Sequence, residues 1–340
     1  MPRTGTFGGF PFDPEVFSGY VSEPSYLKTA IIASGIIRED NTIRSLIGTS
    51  GNVGTMPLYV PMDYEEEGNA ALNYDGMTDN TPIETSGKKQ TFMSVLRMKS
   101  WKAKDFTREL TGADPIGDIG RKVGDYYQQT WQHVLMAIME GVEGVAGLET
   151  HKTNLAKTEG TIEESDKIGE TTLIELGQKA LGDMADRFRL VIMHSAVYTR
   201  LSILKLINFS KYTIPGAIVD TVDLPTYNGK IIVVDDRGTV DTSITGYPKY
   251  KTIMAGEGTF LTCSRDLDKP YYAEYDPETA GGVEMLYTKQ GRVLHPNGLS
   301  IISDNIKEES PTDEELKNPN NWKLVFNHKN VPLAFLYTNG

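Results

Sequence analysis

Between residues 115 and 141 the apolar positions keep the longest helical period in the chain. Ile116, Ile119, Val123, Tyr127, Thr130, Val134 and Ile138 recur at three- and four-residue steps, which aligns them on one face of an α-helix. Asp114-Pro115 in front of the stripe is a start signal, because Asp caps free amides and proline fits the first helical position. Gly141 and Gly144 are read as its end. At a rise of 1.5 Å per residue such a rod is about 40 Å long. That length predicts a strut rather than an ordinary packed helix.

The second half alternates helical and strand patterns. Thr172 with Glu175 reads as a capping box, and Leu173, Leu176, Ala180, Met184 and Phe188 form the stripe behind it. Leu190 to Met193 is a continuous apolar run, expected as a buried strand. Ser195 then caps a helix carrying Val197, Leu201, Leu204 and Ile207. Tyr227-Asn228-Gly229-Lys230 is a turn signal leading into the strand Ile231 to Val234. Further strand-like pieces at Thr252 to Met254, Thr259 to Thr262, Val283 to Tyr287 and Leu299 to Ile302 predict a mixed α/β layer structure. Lys307 to Asn321 is polar, a linker, and Trp322 to Tyr337 reads as a terminal strand pair.

The first fifty residues are rich in Gly and Pro and hold no sustained period, the pattern of an arm that orders against a partner. Ala30 to Ile37 allows one short helix, and Gly48, Gly51 and Gly54 read as a hinge. From Met56 to Gly87 the chain carries Asp63, Glu65, Glu66, Glu67, Asp75, Asp79 and Glu84 without one Lys or Arg. Lys88, Lys89, Arg97, Lys99, Lys102 and Lys104 follow with no acid among them, while Phe92, Val95, Leu96 and Met98 mark a returning strand. The two blocks together predict a long hairpin-like excursion. Charge runs are usually solvated surface. Adjacency and opposite sign make these two candidates for contact between subunits, with Glu65, Glu66 and Glu67 reaching the basic residues of a neighbour.

Composition narrows the function classes. Over 340 residues, 34 basic side chains stand against 46 acidic ones, a net charge of −12 that argues against a main task of gripping phosphate backbones. The single cysteine, Cys263, excludes an internal disulfide framework and is expected to be an inert buried thiol. Residues 1 to 17 lack the basic and apolar regions of a signal peptide, and no apolar run reaches eighteen residues, so no membrane partner is expected.

Catalytic constellations are missing. The clusters at Gly48, Gly51, Gly54 and at Gly256, Gly258 lack the rest of a phosphate or dinucleotide loop. His133, His151, His194, His295 and His328 never stand at metal-ligand spacing with a carboxylate. Asp220, Asp223, Asp235, Asp236 and Asp241 read as loop acids. His194-Ser195, with Asp235 or Asp236 as third member, is the one nucleophile candidate, but Ser195 stands between His194 and Ala196 where a hydrolase elbow has glycines. No catalytic residue, metal or cofactor is assigned.

In their order along one chain, three stretches resemble the major capsid proteins of tailed bacteriophages. They are the excursion and basic return leading through Leu110-Thr111-Gly112-Ala113-Asp114-Pro115 to Trp131 and Gly141, then Leu190 to Leu201 with Tyr227 to Asp236, and finally Val293 to Gly298 with Asn321 to Leu333. The resemblance implies an α+β, HK97-like fold. Its parts are an N-terminal arm (1–53), an extended loop (54–104), a peripheral domain on a spine helix (105–165), an axial α/β domain (166–280), and a return to the peripheral domain with C-terminal strands (281–340). It also implies a structural protein that assembles with itself into hexamers and pentamers of an icosahedral head around dsDNA. A separate scaffolding protein, a portal and a decoration protein are the further partners it implies. In this branch a fused scaffolding segment is commonly absent, as is expected here. Alternatives are an encapsulin-type shell, an α/β hydrolase using Ser195 and His194, and a DNA-binding module using Lys88 to Lys104, which the net charge disfavours.

Overall fold

One long helix bridges two β-sheets. The computed structural model describes residues 5–7, 10–12, 37–47, 51–59, 71–75, 77, 87–111, 115–213 and 221–340. The first part of the chain gives β1 (Gly5–Phe7), β2 (Phe10–Phe12), β3 (Ile37–Glu39), α1 (Asn41–Ile47), β4 (Val53–Tyr59), β5 (Gly87–Lys104), α2 (Asp105–Thr111) and α3 (Pro115–Glu143). The middle holds β6 (Lys152–Asn154), α4 (Thr172–Leu181), β7 (Phe188–Met193), α5 (Ser195–Ile203), β8 (Asn208–Thr213), β9 (Thr221–Tyr227), β10 (Lys230–Val234) and β11 (Val240–Asp241). Then come β12 (Lys249–Gly256), β13 (Phe260–Arg265), β14 (Tyr271–Asp276), β15 (Val283–Pro296), β16 (Leu299–Ile301), α6 (Asp313–Lys317), β17 (Trp322–Leu324) and β18 (Leu333–Thr338).

The eight-stranded sheet runs β6-β18-β12-β7-β10-β9-β8, with β11 on β12, and the six-stranded sheet runs β3-β13-β15-β5-β4, with β14 on β15. Strand β7 shows why its sequence is a continuous apolar run. Leu190 and Ile192 face the cluster built on α3, while Val191 and Met193 face the cluster of α4 and α5. A strand buried on both faces has no polar side to alternate with. Between β9 and β10, Asn228 and Gly229 take positive φ of 46° and 76°, as the Asn-Gly turn signal requires.

Helix α3 begins at Pro115; Asp114 lies outside the described residues. Val123, Tyr127, Val134 and Ile138 are buried as predicted, joined by Trp131 and Leu135. Its first half lies on the six-stranded sheet, where the Tyr127 hydroxyl meets Thr288 Oγ1 at 2.9 Å and Trp131 Nε1 donates to Gln290 Oε1 at 3.1 Å. Farther along it packs on Ile192, Ile253 and Phe335 of the eight-stranded sheet. The helix ends at Glu143, between the two glycines read as its end, so Gly141 lies inside its last turn. A Cβ there would stand 2.8 Å from Trp322 Nε1 and closer still to the Leu316 carbonyl oxygen, so glycine admits α6 against the helix.

Several local expectations need correction. The Thr172–Glu175 capping box is absent: Thr171 is the N-cap residue, and Thr172 Oγ1 accepts from the Gly169 N–H at 3.0 Å. Helix α4 stops at Leu181, so Phe188 opens β7 instead of ending a helical stripe. Helix α5 is capped by His194, and it ends at Ile203, leaving Leu204 and Ile207 outside it. Trp322 to Tyr337 is no strand pair. β17 pairs with β16, and β18 lies between β12 and β6. Leu333 to Leu336 are all buried, a demand that an interior strand meets and a terminal hairpin does not.

Of the presumed hinge, Gly48 lies outside the described residues, and Gly54 sits inside β4, where a Cβ would overlap the Phe92 ring. The short helix expected from Ala30 also falls outside them up to Ile36, and Ile37 opens β3. Cys263 is a buried free thiol, and burial pushes its pKa up.

Candidate assembly surface

The hairpin that carries the two charge blocks is real at its base. β4 and β5 pair antiparallel from Val53↔Met93 to Tyr59↔Gly87, and β5 then continues to Lys104 along β15. Odd-numbered residues of β5 face α3, since Met93, Val95 and Trp101 pack into its cluster. The even face is treated differently at its two ends. Around Phe92 it is covered by Ile43 of α1, Leu261, Cys263 and Val293. From Met98 onward the cover ends, and Met98 is 86% exposed. A large apolar side chain in a regular strand is thus left bare while the same face is sealed a few residues earlier.

The six basic candidates do not form one patch. Lys88 and Lys89 are exposed near the start of β5, whereas Lys102 and Lys104 are exposed at its far end. At about 3.3 Å per residue, Lys88 and Lys102 are about 46 Å apart. Arg97 is committed within its own chain: it donates to Asp313 Oδ1 at 2.6 Å, Leu96 O at 2.9 Å and Pro311 O at 3.1 Å. Lys99 is exposed, and its carbonyl accepts from Thr288 Oγ1 at 2.9 Å. Glu65, Glu66 and Glu67 lie outside the described residues.

Sequence reasoning missed the apolar part of this surface. In the excursion Leu72, Tyr74 and Met77 are 59%, 98% and 89% exposed, and on the sheet Tyr272 and Tyr287 are 53% and 40% exposed. The available signal was a set of large apolar residues spaced between acids, with no periodic face to bury them.

His194 and Ser195 do not make a nucleophile pair. His194 Nδ1 accepts from the Ala196 N–H at 3.0 Å, and its Nε2 lies 3.7 Å from Asp236 Oδ1. Asp236 also takes the Ser195 N–H at 2.7 Å. Both imidazole nitrogens are thus turned to helix-start contacts rather than to the Ser195 hydroxyl, where a general base must stand. Asp235 holds the loop after β10 through Arg237 Nε and its N–H, at 3.1 and 3.0 Å, and accepts from Gln132 of α3.

An excursion on a hairpin, a strut helix and a separate α/β sheet together define an HK97-like capsid fold. No family model matches the chain. It is similar to the major capsid protein of Bacillus phage SPP1, 26% identical over 323 residues that cover 94% of each chain. Among solved structures, the capsid of cyanophage Pam1 matches with a TM-score of 0.53 over 94% of each chain, at 9% identity. An encapsulin complex from Synechococcus elongatus matches with a TM-score of 0.50, covering 96% of this chain and 95% of that one, at 9% identity. The chain thus shares its fold with phage capsid proteins and is similar along nearly its whole length to a phage major capsid protein.

Proposed function

We propose that the chain assembles with itself into hexamers and pentamers that close an icosahedral head around phage dsDNA, and that it catalyses no reaction. The observation that carries this reading is the bare excursion. Tyr74 at 98% and Met77 at 89% exposure are costly in a lone subunit and useful only where a neighbour covers them. Repetition of one self-complementary set of surfaces closes a shell. A scaffolding protein, a portal and a decoration protein are the further partners, and the virion, assembled in the host cytoplasm, is the location. Within the shell, the acidic residues Glu65, Glu66 and Glu67 meet exposed lysines from the Lys88 to Lys104 stretch of a neighbour. The net charge of −12 fits a wall that encloses nucleic acid without gripping it.

Electron microscopy of the purified, concentrated chain tests the reading. Rings or closed shells are the expected result, with nucleic acid in particles isolated from producing cells. Shells filled with protein cargo instead would favour the encapsulin alternative, and a monomer under every salt and crowding condition would refute assembly.

A further inference from the structure

Two histidines 177 residues apart in sequence meet beside β18. His151 closes the short turn Glu149–His151 directly before β6, and His328 opens the turn His328–Asn330 that leads into β18. Because β18 pairs parallel with β6, Phe335 opposite Lys152, both turns arrive at the same end of this strand pair. His151 Nε2 stands 3.3 Å from His328 Nδ1, with the ring centroids 5.5 Å apart and the planes nearly perpendicular at 84°.

The surroundings of His151 prepare it as a lone-pair donor. Its Nδ1 lies 2.6 Å from the Leu333 carbonyl oxygen, which can only accept, so Nδ1 carries the proton and Nε2 is bare towards His328. Burial holds the His151 pKa below the usual histidine value, and the neutral ring is the form that binds a metal. His328 is half-buried, and its turn is fastened on both sides. The Lys329 N–H donates to Asn327 Oδ1 at 3.1 Å, and Arg187 Nη1 donates to the Lys329 carbonyl at 3.2 Å.

We propose that His151 Nε2 and His328 Nδ1 form a binding site for zinc or a similar transition-metal dication, with water in the remaining positions. Spacing is the argument. Zinc holds imidazole nitrogens at about 2.0–2.1 Å in tetrahedral geometry, which sets two of them about 3.4 Å apart. A separation of 3.3 Å matches that bite and is long for a hydrogen bond from an N–H. The bond from His151 Nδ1 to a backbone carbonyl is the outer contact that orients a metal-bound imidazole. Among the described residues no third His, Cys, Asp or Glu joins the pair, so the site favours a nitrogen-seeking ion over magnesium or calcium, which require oxygen ligands. Bound there, the ion joins the turn ahead of β18 to the turn ahead of β6. The inference goes beyond the shell reading and does not depend on it, since subunit and assembly carry the site alike.

The test uses the full chain at pH 7.5 and the variant His328→Asn, which keeps a donor for His151 Nε2 but lacks the imidazole. Zinc chloride should raise the wild-type melting temperature by about 2 °C or more. In the variant that rise should vanish, and calorimetric titration should show zinc affinity lower by about tenfold or more. His133, whose Nε2 lies 3.6 Å from Asp313, is intact in both proteins and serves as the control for binding elsewhere. No zinc response in the wild-type chain, an equal response in the variant, or an equal response to magnesium overturns the inference. Should the variant fold poorly, oxidation by copper(II) and ascorbate gives a reading on the unaltered chain, because it marks the imidazoles that hold the metal. Mass spectrometry should find oxidation concentrated severalfold on His151 and His328 and suppressed by zinc. Oxidation spread evenly over the five histidines, or indifferent to zinc, overturns the inference.

Discussion

The carboxylate of Glu143, in the last turn of α3, lies 2.6 Å from the ammonium of Lys251 on β12. Lys152 Nζ approaches the same carboxylate at 2.6 Å, and the Tyr337 hydroxyl donates to it at 2.5 Å. This node ties the end of the strut helix to the eight-stranded sheet. An acid at a helix C-terminus opposes the macrodipole, and burial opposes its charge as well, yet Lys251, Lys152 and Tyr337 outweigh both and hold its pKa below the usual carboxylate range. The same burial, with the Glu143 charge beside it, pushes the Tyr337 phenol up.

Glu143→Gln should therefore destabilise the subunit by about 3 kcal/mol at neutral pH, since it leaves Lys251 buried beside Lys152 without its anion. The folded pKa is depressed, so the stabilisation is full above the unfolded carboxylate value of about 4.3 and is lost as pH falls through the lower folded value. Urea unfolding of both proteins should show the largest gap near pH 7 and a shrinking one in acid. A constant gap down to pH 3 would contradict the charge argument.

His295 supplies a second, separate pH dependence. It is fully enclosed, and burial lowers its pKa to about 4, partly offset by its hydrogen bond to the Leu299 carbonyl. Between about 6.5 and 4 the unfolded chain takes up a proton that the folded chain refuses, so stability present above pH 6.5 is lost as pH falls toward 4, by about 3 kcal/mol. His295→Gln should remove this slope while leaving that of Glu143. Unfolding curves at pH 7, 5.5 and 4 on the two proteins check it.

The sequence reveals elements more readily than neighbours. Pro115, Asn228-Gly229 and the run Leu190 to Met193 act locally, through a fixed φ, a left-handed turn and two-sided burial, so their signals lie in adjacent residues. The partner of β18 is set by distant β12 and β6, and nothing near Leu333 encodes that choice. Ser195 and His194 exchange places as cap because both suit the position; Asp236, brought in from beyond β10, takes the Ser195 N–H and decides it. On the assembly surface the charge blocks are legible. Met98 reads as core because periodicity counts apolar residues without knowing where the covering cluster around Phe92 stops.

Gly141 separates intrinsic preference from packing. Alanine is favoured over glycine inside a helix by about 1 kcal/mol, so on propensity alone Gly141→Ala stabilises α3. The added Cβ would, however, press on the Leu316 carbonyl and Trp322 Nε1, and the Trp322 N–H donates to that carbonyl at 2.9 Å. Backbone cannot yield as a flexible side chain does, and overpacking of this kind costs about 1–3 kcal/mol. The variant should therefore be less stable by calorimetry, with Trp322 fluorescence altered. A raised melting temperature would mean that α6 moves aside freely.

Charge reversal in the excursion isolates its electrostatic share of assembly. Glu65, Glu66 and Glu67 belong to a stretch of acids without a base, followed by bases without an acid. Exposed pairs contribute about 0–1 kcal/mol each, but a shell repeats every contact, so small increments add across it. Screening acts over about 8–10 Å at moderate ionic strength, and the effect should be strongest at low salt. Reversing the three residues to Lys should impair shell formation in sedimentation and microscopy while the melting temperature of the monomer stays nearly constant. Lys102 and Lys104, exposed at the uncovered end of β5, are the partners to reverse for rescue; Arg97, held by Asp313 in its own chain, is not. Rescue by Lys102→Glu with Lys104→Glu would place the acids near that end of the neighbour's sheet. Normal assembly of the triple reversal at low salt would instead reduce these acids to a solvated surface and leave the apolar anchors to carry the contact.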